Sequence, residues 1–347
     1  MLNKALILWY TKHRRDFPWR KSRDTYRVWL SEIILQQTKA QQGQGYFLKM
    51  IDRFPTIESL AQASQEEVLE VWQGLGYYRR AINLHHTARH VVTKYKGVFP
   101  TTYNELIKLK GIGDYTASAI LSICNNKPYA VLDGNVYRVL ARYYGIYKPV
   151  GGSLAFKEFK QLASKNLDRL NPGQYNQAIM EFGALVCTFR KPQCHLCILR
   201  DNCHAFIHQK IDRLPVKRPK KPSKLRYFNY LVITDKENNV RLEKRTQGDI
   251  WPQLYEFPLI ETRTRVDTVQ KLVSQLGEYK RYLSEEWGIE KWNERAVIHR
   301  LTHQTLMITF WVISWSSNLE GAYSVRRLAQ LPLPIVLTNF VKKYFVS

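Results

Sequence analysis

The sequence predicts two parts, an all-helical N-terminal region and a smaller α/β C-terminal domain. Three observations carry that expectation. Stretches with helical periodicity fill the first 209 residues. The segment KIDRLPVKRPKKPSKLR at 210–226 then breaks the pattern, with eight basic residues and three prolines among its seventeen. Beyond it, apolar runs with strand composition are separated by turn residues. At 347 residues the chain is long enough for two or three cores.

The chain opens with MLNKALILWYTKHRRDF, an apolar run from Ala5 to Tyr10 followed by basic residues and no small-residue cleavage site. That is not a secretory signal, and no stretch approaches the eighteen apolar residues of a membrane span. A cytoplasmic protein with reduced thiols and no membrane partner is expected. The helical stretches follow in order: VWLSEIILQQTKAQQ, with a helix over 28–40, then SQEEVLEVWQGL, YNELIKLKGIGDYTASAILSIC, VYRVLARYYG and YNQAIMEFGALVC. The 210–226 segment reads as a solvated linker, unable to form a helix or a central strand. After it, YFNYLVIT and VRLEKR flank the turn-rich DKENN as a hairpin. The amphipathic VDTVQKLVSQLGEY and the strand-like RAVIHRL and LMITFWVISW complete the second domain.

Charge narrows the function. There are 53 Lys and Arg against 29 Asp and Glu, a formal net charge of +24, which points to a polyanion, nucleic acid before membrane. Within LKGIGDYTASAI, Gly111 and Gly113 permit a tight turn between two helices, and the second helix aims its N-terminal N–H groups outward, as a phosphate-gripping hairpin requires. A plain glycine turn is the alternative. Glu32, in SEIILQQT, has Val28, Trp29, Leu35 and Gln36 three and four residues away. A carboxyl on such an apolar stripe has a raised pKa, as a general acid needs, unless it lies at the stripe's margin and reaches water. Gln36 and Gln37 suit either the surface or a base stack. In LDGN, Asp133 or Asn135 can cap the following helix. Asp133 at that N-terminus can also stay ionised and stabilise a developing cation. Two carboxylates so divided follow the logic of glycoside cleavage. WQGLGYYRRA pairs tyrosines with arginines, as a duplex wedge or as core aromatics.

Four of the five cysteines fall in CTFRKPQCHLCILRDNC, spaced C-x6-C-x2-C-x5-C at Cys187, Cys194, Cys197 and Cys203. Zinc sites favour two short-spaced pairs around a longer loop, whereas four closely wrapped thiolates suit one 4Fe–4S cluster. His195 and His204 keep zinc as the alternative.

Together FPWR, SEIILQQT, GLGYYRRA, GIGDYTA, LDGNVYRVLAR and the four-cysteine tail resemble the MutY family of adenine DNA glycosylases, in the helix–hairpin–helix glycosylase superfamily. The resemblance implies a six-helix module over about 24–130 and a cluster-bearing module of 1–23 and 131–209. It also implies a Nudix-like domain over 227–347 that inspects 8-oxoguanine. The implied reaction is hydrolytic removal of adenine mispaired with 8-oxoguanine or guanine in double-stranded DNA, by a monomer associated with a bacterial nucleoid. Glu32 would protonate adenine and Asp133 would stabilise the sugar cation, with Asn135 and Tyr115 supporting the pocket. Gln37 and Tyr78 would fill and wedge the base stack, and Arg15, Trp19 and Arg20 would line the pocket. In the C-terminal half IWPQLYEFP matches the family's aromatic–Phe-Pro stretch, no acidic Nudix hydrolase box is present, and Leu301, Thr302 and His303 align with the Phe-Ser-His recognition loop. Leu301 replaces its aromatic, while Thr302 keeps a hydroxyl. Endonuclease III-like enzymes share the cluster, hairpin and aspartate but use a lysine as Schiff-base nucleophile where this chain has Tyr115. A non-catalytic cluster-bearing DNA-binding protein is the other alternative.

Overall fold

The structure, a computed structural model, describes residues 2–219, 222–246, 250–282 and 288–346. It divides into two compact units, one of residues 1–63 and 82–219, the other of residues 64–81 and 220–347. The helices before the linker region are α1 (Leu2–His13), α2 (Thr25–Leu35), α3 (Ala40–Arg53), α4 (Ile57–Gln62), α5 (Gln65–Val71), α6 (Arg79–Tyr95), α7 (Tyr103–Leu106), α8 (Asp114–Ile123), α9 (Gly134–Tyr144), α10 (Ser153–Asn166), α11 (Pro172–Leu185) and α12 (His204–Ile207). Polar caps set several of these starts. Asp24 accepts the Arg27 amide before α2, and Ser64 with Glu67 makes a reciprocal capping box before α5.

In the first unit, α1 packs with α9, α10 and α11 around Leu6, Val139, Phe159, Ile179 and Phe182, all buried. Cys187 and Cys197 lie against this core. Its helices come from the segments 1–23 and 131–209, and each fully buried large apolar side chain contributes about 1.5–3 kcal/mol. The helix expected over 28–40 is broken. α2 stops at Leu35, Gln36 is extended (φ −56°, ψ 111°) and Gln37 is left-handed (φ 58°) before α3 begins. No Gly or Pro marks that break, so tertiary packing overrides local propensity there.

The second unit is built on β1 (Lys224–Thr234), β2 (Asn239–Arg241), β3 (Glu243–Lys244), β4 (Tyr255–Glu256), β5 (Leu259–Thr262), β6 (Ile289–Lys291), β7 (Val297–Arg300), β8 (Gln304–Ser314) and β9 (Ala322–Ser324), with helices α13 (Val269–Val273), α14 (Val325–Leu328) and α15 (Ile335–Phe345). Strands β6-β8-β1-β2-β9 form the main sheet, with β5 also on β1 and β7 on β8. β1 and β8 run parallel in register from Lys224↔Gln304 to Thr234↔Ser314, and β1 pairs antiparallel with β2 across the expected hairpin. Phe340 of α15 stacks on Phe310 of β8 at 4.0 Å, joining helix and sheet.

The 210–226 segment departs from expectation at both ends. The Val216 carbonyl accepts the Val150 amide, and Leu214 accepts from Arg142. Lys224, Leu225 and Arg226 are already in β1, a central strand. Arg226 is held there by Glu261 and Gln304, so its charge is matched within the sheet. Lys220 and Lys221 lie outside the described residues.

Candidate active site

Glu32 projects from α2 and is only 7% exposed. Burial pushes its carboxyl up to about 7; a hydrogen bond from Tyr115 pulls it down, Asp133 adds repulsion, and Arg20 attracts. The Tyr115 hydroxyl donates to Glu32 Oε2 at 2.6 Å and meets Met180 Sδ at 3.3 Å. Burial and the nearby Glu32 raise the phenol well above its ordinary range, so it remains a donor. Tyr115 is the second residue of α8. The glycine turn therefore does two things: it opens the helix at Gly113 and places Tyr115 on Glu32.

Asp133 caps α9, one of the two readings of LDGN. Its Oδ1 accepts the amides of Asn135 at 2.9 Å and Val136 at 2.7 Å, and its Oδ2 accepts Asn135 Nδ2 at 2.7 Å. Burial raises the carboxyl's pKa, and these N–H donors oppose the rise by favouring the anion. Arg138 Nη2 in turn donates to Asn135 Oδ1 at 2.8 Å, and its Nε to the Cys187 carbonyl at 2.6 Å.

A third acid completes the wall. Glu181 of α11 is 2% exposed and takes Arg15 through its amide, Nε and Nη2, and Arg20 through Nη1 and Nη2. Burial pushes Glu181 up, but the two guanidiniums outweigh it and hold the carboxyl at about 2. Arg15, Trp19, Arg20, Glu32, Tyr115, Asp133 and Asn135 line one cleft of about 500 Å³ within the first unit. Arg15 and Arg20 sit there with their guanidiniums already engaged, so they shape the wall. Sequence reasoning missed Glu181 and Arg138. The signal for Glu181 was present, a lone acid on the apolar stripe of YNQAIMEFGALVC, the same signal that singled out Glu32.

Other expected residues lie elsewhere. Gln37 is exposed at the α2–α3 break. Gly111 is left-handed (φ +82°) against Asn83, while a Cβ at Gly113 would meet open space. Tyr78 departs from its expected role. It is 4% exposed, with its hydroxyl bonded to the Gly74 amide and the Leu333 carbonyl, and a ring so packed cannot enter a base stack. Its neighbour Tyr77 is 48% exposed and left-handed (φ 49°). Leu301, Thr302 and His303 form the turn between β7 and β8, closed by the Leu301 amide on the Gln304 carbonyl. Thr302 and His303 are exposed. The Thr302 hydroxyl lies 2.9 Å from that of Tyr77, within the second unit.

Cys187, Cys194, Cys197 and Cys203 line one small cavity with Arg142, and none of the four is in a disulfide. Burial raises Cys194, Cys197 (to about 11) and Cys203, and the neighbouring cysteines add to each rise. Four cysteine side chains facing a common space fit a polynuclear cationic centre that would stabilise all four thiolates together. Among the described residues no group of three or more Cys, His, Asp or Glu side chains is arranged to hold a metal ion. No helix among them is long and apolar enough to cross a membrane.

Residues 30–164 match the HhH-GPD superfamily of base excision DNA repair proteins, and residues 229–343 match the NUDIX domain. An adenine DNA glycosylase of Buchnera aphidicola (subsp. Acyrthosiphon pisum) is 37% identical over 301 residues, covering 82% of this chain and 84% of that protein. One from the Baizongia pistaciae subspecies is 33% identical over 98% of this chain and 95% of its own. The chain belongs to the adenine DNA glycosylase family. The human adenine DNA glycosylase is 40% identical over 58% of this chain and 38% of its own length. Among solved structures, a thermostable thymine-DNA glycosylase superposes with a TM-score of 0.55 at 27% identity, covering 60% of this chain and 95% of that one. Family membership accounts for the order of the parts, a helical DNA-repair region followed by a NUDIX domain.

Proposed function

We propose that the protein removes adenine from double-stranded DNA where it lies opposite 8-oxoguanine or guanine, by hydrolysis and without a lyase step. The observation that carries this reading is the pair of unlike carboxylates in one cleft, Glu32 buried beside Tyr115 with its carboxyl pushed up to about 7 and Asp133 accepting N–H donors that favour its anion. A flipped adenine in the cleft is protonated by Glu32, which makes it a neutral leaving group as the N-glycosidic bond breaks. Positive charge then grows at C1′ and the ring oxygen, where the Asp133 carboxylate stabilises it. Water adds to that carbon, its proton passing to the now ionised Glu32. Both carboxylates come from one chain, so a monomer suffices. The test is release of adenine from duplexes carrying A opposite 8-oxoguanine, G, T and C, with and without alkali. Release confined to the first two, with scission only after alkali, is expected; scission at an equal rate without alkali refutes the hydrolytic reading.

The four cysteines would hold one 4Fe–4S cluster, which supplies a structural cross-link within the 187–203 loop when bound. Purified protein should carry about four irons per chain. Cys197→Ser should lower iron content and melting temperature together, and stoichiometric zinc without iron would refute this ligand assignment.

The glycine hairpin would grip a phosphate of the DNA backbone. Gly113→Ala enters open space, so melting should stay unchanged while binding to any sequence weakens. Loss of one N–H contact to a charged oxygen costs about 1.5–3 kcal/mol. Unchanged affinity in a filter-binding titration would remove the hairpin from the interface.

The wedge role belongs to Tyr77, the exposed member of its pair, beside the Thr302 hydroxyl of the turn that would recognise 8-oxoguanine. Tyr77→Ala should lower mispair affinity by about 1–3 kcal/mol and leave melting unchanged. Tyr78→Ala should do the reverse, losing about 3–5 kcal/mol of stability in the unit that holds it.

A further inference from the structure

Two polar side chains outside the cleft join the helix that carries Tyr115 to the segment that leads into Asp133. Lys160 of α10 is 20% exposed at its side chain. Its ammonium donates to Asp114 Oδ2 at 2.8 Å, Ser118 Oγ at 2.9 Å and the Ala130 carbonyl at 2.6 Å. An ammonium has three protons, and here each has an acceptor. Two acceptors are on α8, one immediately before Tyr115 and one a turn later. The third is three residues before Asp133. Asn176 of α11 repeats the pattern one turn further along α8, donating to Ser122 Oγ at 2.9 Å and the Tyr129 carbonyl at 2.8 Å while accepting the Val131 amide at 3.2 Å. Asp114 also accepts the Tyr103 hydroxyl at 2.9 Å, which fixes the carboxylate that Lys160 holds.

We infer that Lys160 is a positioning residue for the reaction, setting the offset between Tyr115, which governs Glu32, and the Asp133 cap. It touches neither Glu32 nor Asp133. Its effect reaches them through the chain, since Asp114 directly precedes Tyr115 and Ala130 lies three residues before Asp133. Lys160→Met keeps the length of the side chain and removes all three donors. The N-terminal end of α8 then loses its tie to the 130–133 segment, with the Asn176 bridge left to hold the helix one turn further on, and the Tyr115 hydroxyl draws away from Glu32 Oε2. That hydrogen bond lowers the Glu32 pKa, so its weakening leaves Glu32 protonated to higher pH.

This inference rests on the reading of Glu32 as the acid, and the experiment separates the two. The single-turnover rate of adenine release, with enzyme in excess over an A:8-oxoguanine duplex, is followed from pH 5.5 to 9 alongside thermal melting. For the unmodified protein the rate should fall as pH rises past about 7; no such fall would end the assignment of Glu32 and leave Lys160 without its target. For Lys160→Met the plateau rate should drop roughly tenfold, as a small misalignment of reacting groups produces, and the descending limb should move to higher pH. Ser118→Ala, which removes one acceptor of three, should show the same displacement in smaller size and guards against poor folding of the first variant. A lowered melting temperature with the limb unmoved in both variants assigns Lys160 to stability alone and overturns the proposal.

Discussion

Glu32→Gln should release adenine at least ~10²–10⁴-fold more slowly than the unmodified protein, the loss typical when a general acid–base group is removed. Glutamine keeps the shape of the side chain and can still accept the Tyr115 hydroxyl, so the cleft should stay assembled and mispaired duplex should still bind. The same substitution should stabilise the fold at alkaline pH. The folded-state pKa of about 7 lies above the ordinary 4.5, so the native protein holds a proton that the unfolded chain releases. Stability is therefore lost as pH rises from about 4.5 through 7, by up to roughly 3 kcal/mol. Glutamine carries no such cost, and the variant should melt progressively higher than the parent across that range. Asp133→Asn should also be severe in activity, because a neutral amide does not offset positive charge at C1′. Near-normal turnover by Glu32→Gln under single-turnover conditions would assign proton transfer to another group.

Glu181→Gln should be the most destabilising of the single changes around the cleft. It leaves the Arg15 and Arg20 guanidiniums facing each other without the carboxylate between them, and unpairing buried charge costs about 3–5 kcal/mol. Arg15 is 32% exposed at its side chain, which places the effect near the lower end. The pKa of Glu181 agrees in size. It is held at about 2 against an ordinary 4.5, so the ion pair contributes roughly 3 kcal/mol. The contribution is present above about pH 4.5 and is lost as pH falls toward 2. Melting measured at pH 7 and pH 3 should therefore show a large deficit at the first and a smaller one at the second. An equal deficit at both would mean that packing, and not charge, is what Glu181 provides.

Local pattern made much of this legible. Apolar periodicity located the helices, the cysteine spacing marked the loop that lines a common cavity, and an acid on an apolar stripe found Glu32. Asp133 was legible as a cap, and the cap is what its contacts make. The unread parts depend on partners far away in the chain. Glu181 meets Arg15 across 166 residues, and periodicity does not report such pairings. Adjacent tyrosines in GLGYYRRA carry the same chemistry, and only packing decides that Tyr78 goes inward and Tyr77 outward. The break at Gln36–Lys39 has no Gly or Pro to announce it, and a left-handed glutamine is written by its surroundings. Lys160 is one of 53 Lys and Arg in the sequence, and only the fold supplies its three acceptors.

The second unit crosses the chain twice, and this has a consequence for the order of events during synthesis. Residues 64–81 leave the ribosome early, yet they cluster with strands that begin after residue 220. Gln73 donates to the Leu331 carbonyl, 258 residues later, an interval of roughly 10–50 s at ordinary translation rates. Tyr78 waits a comparable time for Leu333, and Glu66 for the Tyr255 hydroxyl. The helical unit thus has time to close around its own core while one internal excursion stays without the bonds it will finally make. The nascent chain at that stage holds Glu32, Tyr115, Asp133 and all four cysteines, but Tyr77 does not yet have Thr302 beside it. The cleft is completed first, and the segment expected to probe the base stack is finished last.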